Sequence, residues 1–149
     1  MKRLLMKTAM VTAATVAATL IPLAGTSYAA GCSGAGCDNL GPVGQGCDAD
    51  AVTQRSVGGD PLKAELRWSA KCQAGWVRGS DNGNGNNWWD HYAYIEKHNG
   101  IGGPLIRSLQ VKIPVAGSDW SNMVGGTNYY YRVCVTTSSP DSFACSSYF

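Results

Sequence analysis

The clearest pattern in the sequence is a strict alternation of apolar and charged residues near its centre. From position 62 to 68 the apolar residues are Leu62, Ala64, Leu66 and Trp68, and the charged ones are Lys63, Glu65 and Arg67. Successive side chains of a strand point to opposite faces, so this alternation predicts a strand with one buried face. The letters GGDP at 58–61 are a strong turn signal, and residues 51–57 before them are β-prone.

Four later segments of the chain are also predicted to be strands. They cover residues 88–98, 105–113, 129–137 and 143–149. The aromatic and β-branched residues inside them favour strands, and the glycine, proline and serine residues between them favour turns. Several short strands with turns between them predict an antiparallel sandwich or barrel.

One segment between the strands has a different pattern. Ser69 follows the strand at 62–68, and a serine there can accept a hydrogen bond from a free backbone N–H at the start of a helical turn. Cys72 and Trp76 are four residues apart and would share one face of that turn. The predicted fold is therefore mostly β, a small disulfide-stabilised antiparallel β-sandwich or barrel with one short helical turn near Ser69–Trp76. Trp68 and Trp76 are expected in its core.

The first 30 residues have the features of a signal peptide. Three basic residues lie within the first seven, and the apolar stretch after them carries no charge before Asp38. A transmembrane anchor needs about 20 apolar residues, whereas this run contains threonines and breaks at Pro22. Ser27 and Ala29 are small residues at the spacing of the cleavage rule, and Ala30 follows them. We expect residues 1–30 to be removed on export, leaving one secreted domain over 31–149 without stable membrane insertion.

Cleavage at that point changes the charge of the protein. The full chain has 12 basic and 10 acidic residues and a formal net charge of +2. Three basic residues and no acidic residue lie in the first 30 positions, so the mature part has a net charge of −1. Its lysines and arginines are scattered, without the cluster that follows a phosphate backbone. This distribution argues against nucleic acid or an anionic membrane surface as a partner.

All six cysteines lie after the expected cleavage point. An even number of cysteines in a small exported domain is typical of a disulfide framework, and six cysteines allow 15 pairings. A hairpin centred near 139–140 would place Cys134 opposite Cys145, at a Cα distance of roughly 4.5–5.5 Å that allows a bridge. For the other four cysteines we favour Cys47–Cys72 and Cys32–Cys37. The closest pair is spaced C-x4-C rather than C-x-x-C, so we expect no metal and no cofactor.

Four blocks that contain cysteines resemble a known family. They are C-x-G-x-x-C at 32–37, G-C-x-x-D-A-x-T at 46–53, E-L-R-W-S-x-x-C-x-x-x-W at 65–76 and R-x-C-V at 132–135. This pattern resembles the secreted actinobacterial domain of unknown function family 2690 over nearly the whole mature chain. The resemblance implies a Gram-positive, extracytoplasmic setting and a shared cysteine plan, and it implies no reaction. In some relatives the domain looks to be joined, across a membrane anchor, to a helix-turn-helix domain, which suggests recognition outside the cell.

Hydrolytic chemistry has few candidate residues in this sequence. A serine nucleophile needs a base within hydrogen-bond reach, and the only histidines are His91 and His98. They are seven positions apart on one predicted strand and would point to opposite faces, and no G-x-S-x-G motif accompanies them. A carboxylate pair is the other option, drawn from residues that include Asp48, Asp50, Asp60, Glu65, Asp81, Asp90 and Glu96. The polar run at 81–87 lacks the ligand pattern of a calcium loop.

The strongest functional signal is the number of aromatic residues. They include Trp88, Trp89, Tyr92, Tyr94, Trp120, Tyr129, Tyr130, Tyr131 and Tyr148. Strand alternation leaves part of this set outside the core, where tyrosine and tryptophan suit stacking on sugar rings or anchoring a protein. We therefore predict a non-enzymatic binding domain for a cell-envelope glycan or an extracellular protein. Its aromatic face is expected to contain Trp88, Trp89, Tyr92 and Tyr130.

Two other functions remain open on the sequence alone. One is a small secreted hydrolase that uses His91 or a carboxylate pair. The other is a structural or protective protein without a ligand, whose core takes up all five tryptophans.

Overall fold

The alternating segments form strands whose apolar sides meet between two antiparallel sheets. The computed structural model describes residues 29–84, 89–137 and 141–149. Sheet A contains β1 (Val52–Gly58), β2 (Leu62–Ser69), β3 (Ala74–Asp81), β6 (Ser118–Trp120) and β7 (Val124–Gly125). Sheet B contains β4 (His91–His98), β5 (Leu105–Ile113), β8 (Tyr130–Thr136) and β9 (Phe143–Cys145). Short 3-10 turns cover Gly34–Cys37 and Asp48–Asp50. The predicted mostly β fold is confirmed, in the form of a sandwich.

The main core lies between the two sheets. The strands pair in the order β1-β2-β3-β6 in sheet A, with β7 also beside β3, and β5-β4-β8-β9 in sheet B. Leu66 and Val77 from sheet A and Ile95 and Val133 from sheet B are fully buried in this core. The sheets approach closely at Gly79, where a Cβ atom would lie 2.7 Å from Cγ1 of Ile113. Glycine is therefore required there for the two sheets to meet.

A second, smaller core lies on the other side of sheet A. The N-terminal segment folds over Trp76, which points away from Val77 and is 4% exposed. The Gly34 N–H donates a hydrogen bond to the Cys72 carbonyl oxygen at 2.7 Å, and the Asn39 N–H donates one to the Met123 carbonyl oxygen at 2.8 Å. Trp76 thus packs beside Cys72, as the sequence predicted.

Three disulfides fasten the chain, in the pairing that we favoured from the sequence. Cys32–Cys37 and Cys47–Cys72 hold the N-terminal segment, with Cα distances of 5.1 and 5.7 Å. Cys134–Cys145 joins β8 to β9, with a Cα distance of 4.0 Å. Cys134 and Cys145 are direct partners in the register of these strands, which confirms the expected hairpin pairing. The predicted centre of that hairpin lies outside the described residues.

The segment from Ser69 to Trp76 differs from its prediction as a helical turn. Ser69 ends β2, residues 70–73 form a hairpin turn, and Ala74 begins β3. The Cys72 N–H does donate to Ser69 Oγ at 3.0 Å, which is the hydrogen bond expected of a cap. At Gln73, however, the backbone takes a φ of +50°, which turns the chain back along β2. The pairing of β3 with β2 gives this segment more backbone hydrogen bonds than one helical turn would.

Some of the predictions concern residues that the structure does not describe. Residues 1–28, most of the expected signal peptide, and Trp88 lie outside the described residues. Within the ranges 29–84, 89–137 and 141–149, no helix has the length and apolar character needed to cross a membrane.

Candidate functional site

Sheet B turns a group of aromatic side chains away from the core. Along β4, Ala93 and Ile95 are fully buried, whereas Tyr92 and Tyr94 between them are partly exposed on the opposite side. Other rings extend this surface on β8, on β9 and in the C-terminal segment that follows β9. We call the surface formed by Tyr92, Tyr94, Tyr130, Phe143 and Tyr148 the tyrosine face.

The rings at one end of the tyrosine face are held in place by their neighbours. The Tyr94 ring lies 6.4 Å from the Tyr92 ring and 5.2 Å from the Phe143 ring, which it meets edge to face. Tyr94 is also the register partner of Cys134, so the Cys134–Cys145 disulfide lies directly beside these rings. Burial, and then the neighbouring Tyr92, raise the pKa of Tyr94. Its phenol therefore stays neutral and can both donate and accept hydrogen bonds at neutral pH.

A charged cluster forms the middle of the tyrosine face. The Arg132 Nε donates a hydrogen bond to Glu96 Oε2 at 2.6 Å, and the His98 Nε2 lies 3.0 Å from the same oxygen. The Tyr148 ring packs against both Arg132 and His98. Its centroid lies 5.2 Å from the Arg132 guanidinium carbon and 5.2 Å from the centroid of the His98 ring. The face therefore combines flat apolar rings with polar groups that point along the same surface.

Glu96→Gln is expected to reduce the loss of stability in acid. Burial alone would raise the pKa of Glu96, but hydrogen bonds from His98 and Arg132, together with the charge of Arg132, hold it below its ordinary value of 4.5. A carboxyl whose pKa is lower in the folded state stabilises the protein above its unfolded pKa, and this contribution disappears as the pH falls through the folded pKa.

Urea unfolding measured from about pH 6 down to about pH 2 tests this expectation. The Glu96→Gln variant should lose less stability than the wild type over that range, by about 1 kcal/mol or less for a partly exposed pair. Glu65, whose pKa is lowered by Lys63 and Arg78 against the effect of burial, still titrates in both proteins. Identical acid dependence in the two proteins would contradict the role given to Glu96.

The structure places the residues predicted for binding in more than one region. Tyr92 and Tyr130 both lie on the tyrosine face, but near its two ends, because Tyr130 pairs with His98 at the far end of β4. Six residues of a strand separate these ends, which is about 20 Å. Trp89 lies elsewhere, at the end of the sandwich, with its ring 6.0 Å from the ring of His91. A binding role for these residues stays a prediction.

Three members of the tyrosine face were not among the four residues predicted for binding. Tyr94 follows from the alternation of β4, because it shares a side with Tyr92. Phe143 follows from the hairpin register, which places it opposite Thr136 once Cys134 faces Cys145. Tyr148 has no such signal, because it lies beyond β9 and reaches the face through its contacts with His98 and Arg132.

The two histidines considered for catalysis lie on opposite sides of β4, as the sequence predicted. His91 is buried on the core side, with its Nδ1 3.4 Å from Thr136 Oγ1, and His98 belongs to the tyrosine face. A glycosidase needs one carboxyl with a raised pKa to act as general acid. Glu65 and Glu96 have lowered pKa values instead and stay ionised. These two carboxylates therefore suit ion pairing rather than acid catalysis.

Four cysteine sulfurs lie close enough together to be compared with a metal site. The Sγ atoms of Cys32, Cys37, Cys47 and Cys72 all lie within 4.8 Å of one another. They are joined as two disulfides, which contact each other at 3.9 Å between Cys32 and Cys47. Metal ions bind cysteine as thiolate, and a disulfide sulfur carries no such charge. In the oxidised protein this cluster therefore fastens the N-terminal segment.

No protein-family model, curated protein or solved structure matches the chain. The resemblance to domain of unknown function family 2690 stays a prediction, and the tyrosine face is the feature from which a function is inferred.

Proposed function

We propose that the protein is a secreted, non-enzymatic domain that binds a cell-envelope glycan on its tyrosine face. The observation that carries this proposal is the set of partly exposed rings on the outer side of sheet B around the Glu96–Arg132 ion pair. Phe143 is 47% exposed and Tyr130 is 40% exposed, so both ends of the face present ring surface to solvent.

The chemistry of the face suits sugars for two reasons. The faces of aromatic rings are negative and attract the weakly positive C–H groups that line one side of a sugar ring. The phenol hydroxyls and the Arg132–Glu96 pair can exchange hydrogen bonds with sugar hydroxyls at the same time. A protein partner would favour a more continuous apolar centre with charges kept to the rim, whereas here the charged pair lies in the middle.

The expected location of the protein agrees with such a ligand. Three disulfides are typical of proteins that mature in an oxidising environment, outside the cytoplasm. The features of residues 1–30 favour export, and the resemblance to family 2690 implies a Gram-positive cell surface. An exported domain would meet cell-wall polysaccharide there.

Tyr94→Ala is expected to weaken retention on purified cell wall by about tenfold or more. Tyr94 contacts both Tyr92 and Phe143, so its loss removes one ring and frees two others. Truncating an aromatic residue that dominates an interface typically costs 2 kcal/mol or more of binding free energy, which is about a thirtyfold loss. Pull-down of the processed protein on cell wall, with the bound fraction measured across a dilution series, gives the comparison.

Trp120→Ala is the matched control for this experiment. Trp120 is an aromatic residue on β6 of sheet A and is 47% exposed, so its loss removes a similar ring from the opposite sheet. The Trp120→Ala variant should be retained on cell wall as well as the wild type. Absence of wild-type retention, or equal retention by Tyr94→Ala, would contradict the proposal. Retention that survives glycan digestion but not protease treatment of the wall would indicate a protein partner instead.

A further inference from the structure

A cavity of about 490 Å³ opens at the end of the sandwich, where the β1–β2 turn, the start of β4 and the end of β8 meet. Leu62, Val135 and the ring of Trp89 form much of its apolar wall. The turn beside it is fixed by a hydrogen bond of 2.8 Å from the Gly59 N–H to the Leu62 carbonyl oxygen. The volume falls within the range of small-molecule sites, roughly 300–1,000 Å³.

Trp89 lines the cavity, and one of its polar atoms has no partner among the described residues. Within the part of the chain that the structure describes, the buried indole Nε1 of Trp89 makes no hydrogen bond. Buried donors are almost always paired, because an unpaired one has lost its water without gaining an acceptor. An unpaired donor on a residue that lines a cavity therefore points to an acceptor that enters from outside.

Other polar groups around the cavity are already engaged. Thr136 Oγ1 accepts a hydrogen bond from the Tyr92 N–H at 3.0 Å and lies 3.4 Å from His91 Nδ1. At the rim, Asp60 Oδ1 accepts a hydrogen bond from the side-chain amide of Asn82 at 2.5 Å. A carboxylate at the rim disfavours anions, and the apolar wall disfavours strongly hydrated molecules.

We propose that this cavity binds a small neutral molecule with an aromatic or acyl body. The molecule carries one acceptor, which accepts a hydrogen bond from the indole N–H of Trp89. The site is separate from the tyrosine face, because Trp89 and His91 lie on the core side of sheet B and Tyr92 lies on its outer side. The inference therefore holds or fails independently of glycan binding.

The probe for this site is prodan, a neutral naphthalene ketone whose fluorescence reports both the polarity around it and hydrogen bonding to its carbonyl group. Gly59 lines the cavity, and a Cβ there meets no atom within 4 Å, so Gly59→Leu adds an apolar side chain beside the cavity without a clash. Gly59→Ala adds only a methyl group at the same position. Trp89→Phe keeps a ring in the wall and removes the N–H.

We expect saturable one-to-one binding of prodan with a blue shift of its emission. Gly59→Leu should weaken binding at least tenfold and Gly59→Ala less, whereas Trp89→Phe should weaken it about three- to tenfold, the usual effect of losing one hydrogen bond. Circular dichroism establishes that each variant is folded. The proposal is overturned if the wild type shows no saturable binding, if Gly59→Leu or Trp89→Phe binds as tightly as the wild type, or if Tyr94→Ala abolishes binding.

Discussion

Replacing both Cys47 and Cys72 by alanine is expected to lower the free energy of unfolding by about 3 to 4 kcal/mol. This disulfide spans 25 residues and joins the N-terminal segment to the β2–β3 turn. In the chain-entropy account, the stabilisation by a disulfide grows with the logarithm of the loop that it closes, which gives about 3.5 kcal/mol for this loop. Small domains are stable by only about 5–15 kcal/mol, so this is a large loss. The second core around Trp76 should loosen first, because this bridge fastens it. Urea unfolding followed by circular dichroism measures the loss.

The Cys32–Cys37 pair is the internal control for this prediction. It holds the same segment but spans only 5 residues, so its replacement by two alanines should cost less, about 2 kcal/mol. Equal losses for the two double variants would mean that loop closure does not set the contribution of these bridges. A fully stable Cys47→Ala, Cys72→Ala protein would show that hydrogen bonds such as Gly34 to Cys72 hold the segment without the bridge.

The strands that the sequence predicted well are those with one buried face. In β2, Leu66 faces the main core and Lys63 and Arg67 face away from it, so the period of two is visible in the residue types. β3 was missed because it is buried on both sides. Val77 faces the main core and Trp76 faces the second core, which leaves no alternation to detect. Only the cover supplied by the N-terminal segment explains why Trp76 is buried, and that cover is a tertiary feature.

The sequence predicted only those positions of the candidate site that follow from alternation along a single strand. Alternation along β4 places Tyr92 and Tyr94 on one side and His91 on the other, so these positions could be predicted. Trp89, which we grouped with Tyr92, continues the core side of β4 and lines the cavity. Phe143 joins the tyrosine face through the pairing of β8 with β9, and Tyr148 joins it through long-range contacts. The predicted pairing of Cys134 with Cys145 fixes the position of Phe143, whereas Tyr148 lies beyond β9 and no local pattern predicts its contacts.

The disulfides and the tyrosine face are linked through the same hairpin. Cys134–Cys145 ties β9 to β8 beside Tyr94, and β9 carries Phe143. β9 is a short edge strand of three residues, and the bridge adds a covalent link to the backbone hydrogen bonds that hold Phe143 near Tyr94. Ordering the rings before a ligand arrives lowers the entropy that binding must overcome. Stability and binding should therefore decline together when this bridge is reduced.

Leu66→Ala is expected to lower the free energy of unfolding by about 2 to 5 kcal/mol. Leu66 is fully buried between the sheets, opposite Val77 on β3. Truncating a buried leucine loses the transfer free energy of its methyl groups and leaves a cavity that the neighbours fill only in part. Tight packing at Gly79, where Ile113 lies close to the opposite sheet, limits how far the sheets can move to fill it. Urea unfolding at neutral pH gives the change.

Leu105→Ala separates the effect of burial from that of the substitution itself. Leu105 begins β5 and is 53% exposed, so the same change there should alter stability by no more than about 0.5 kcal/mol. The difference between the two leucines is then a direct measure of the core between sheets A and B. If both variants were equally stable, the apolar row of β2 would not be packed against sheet B, and neither the tyrosine face nor the cavity would have a rigid support.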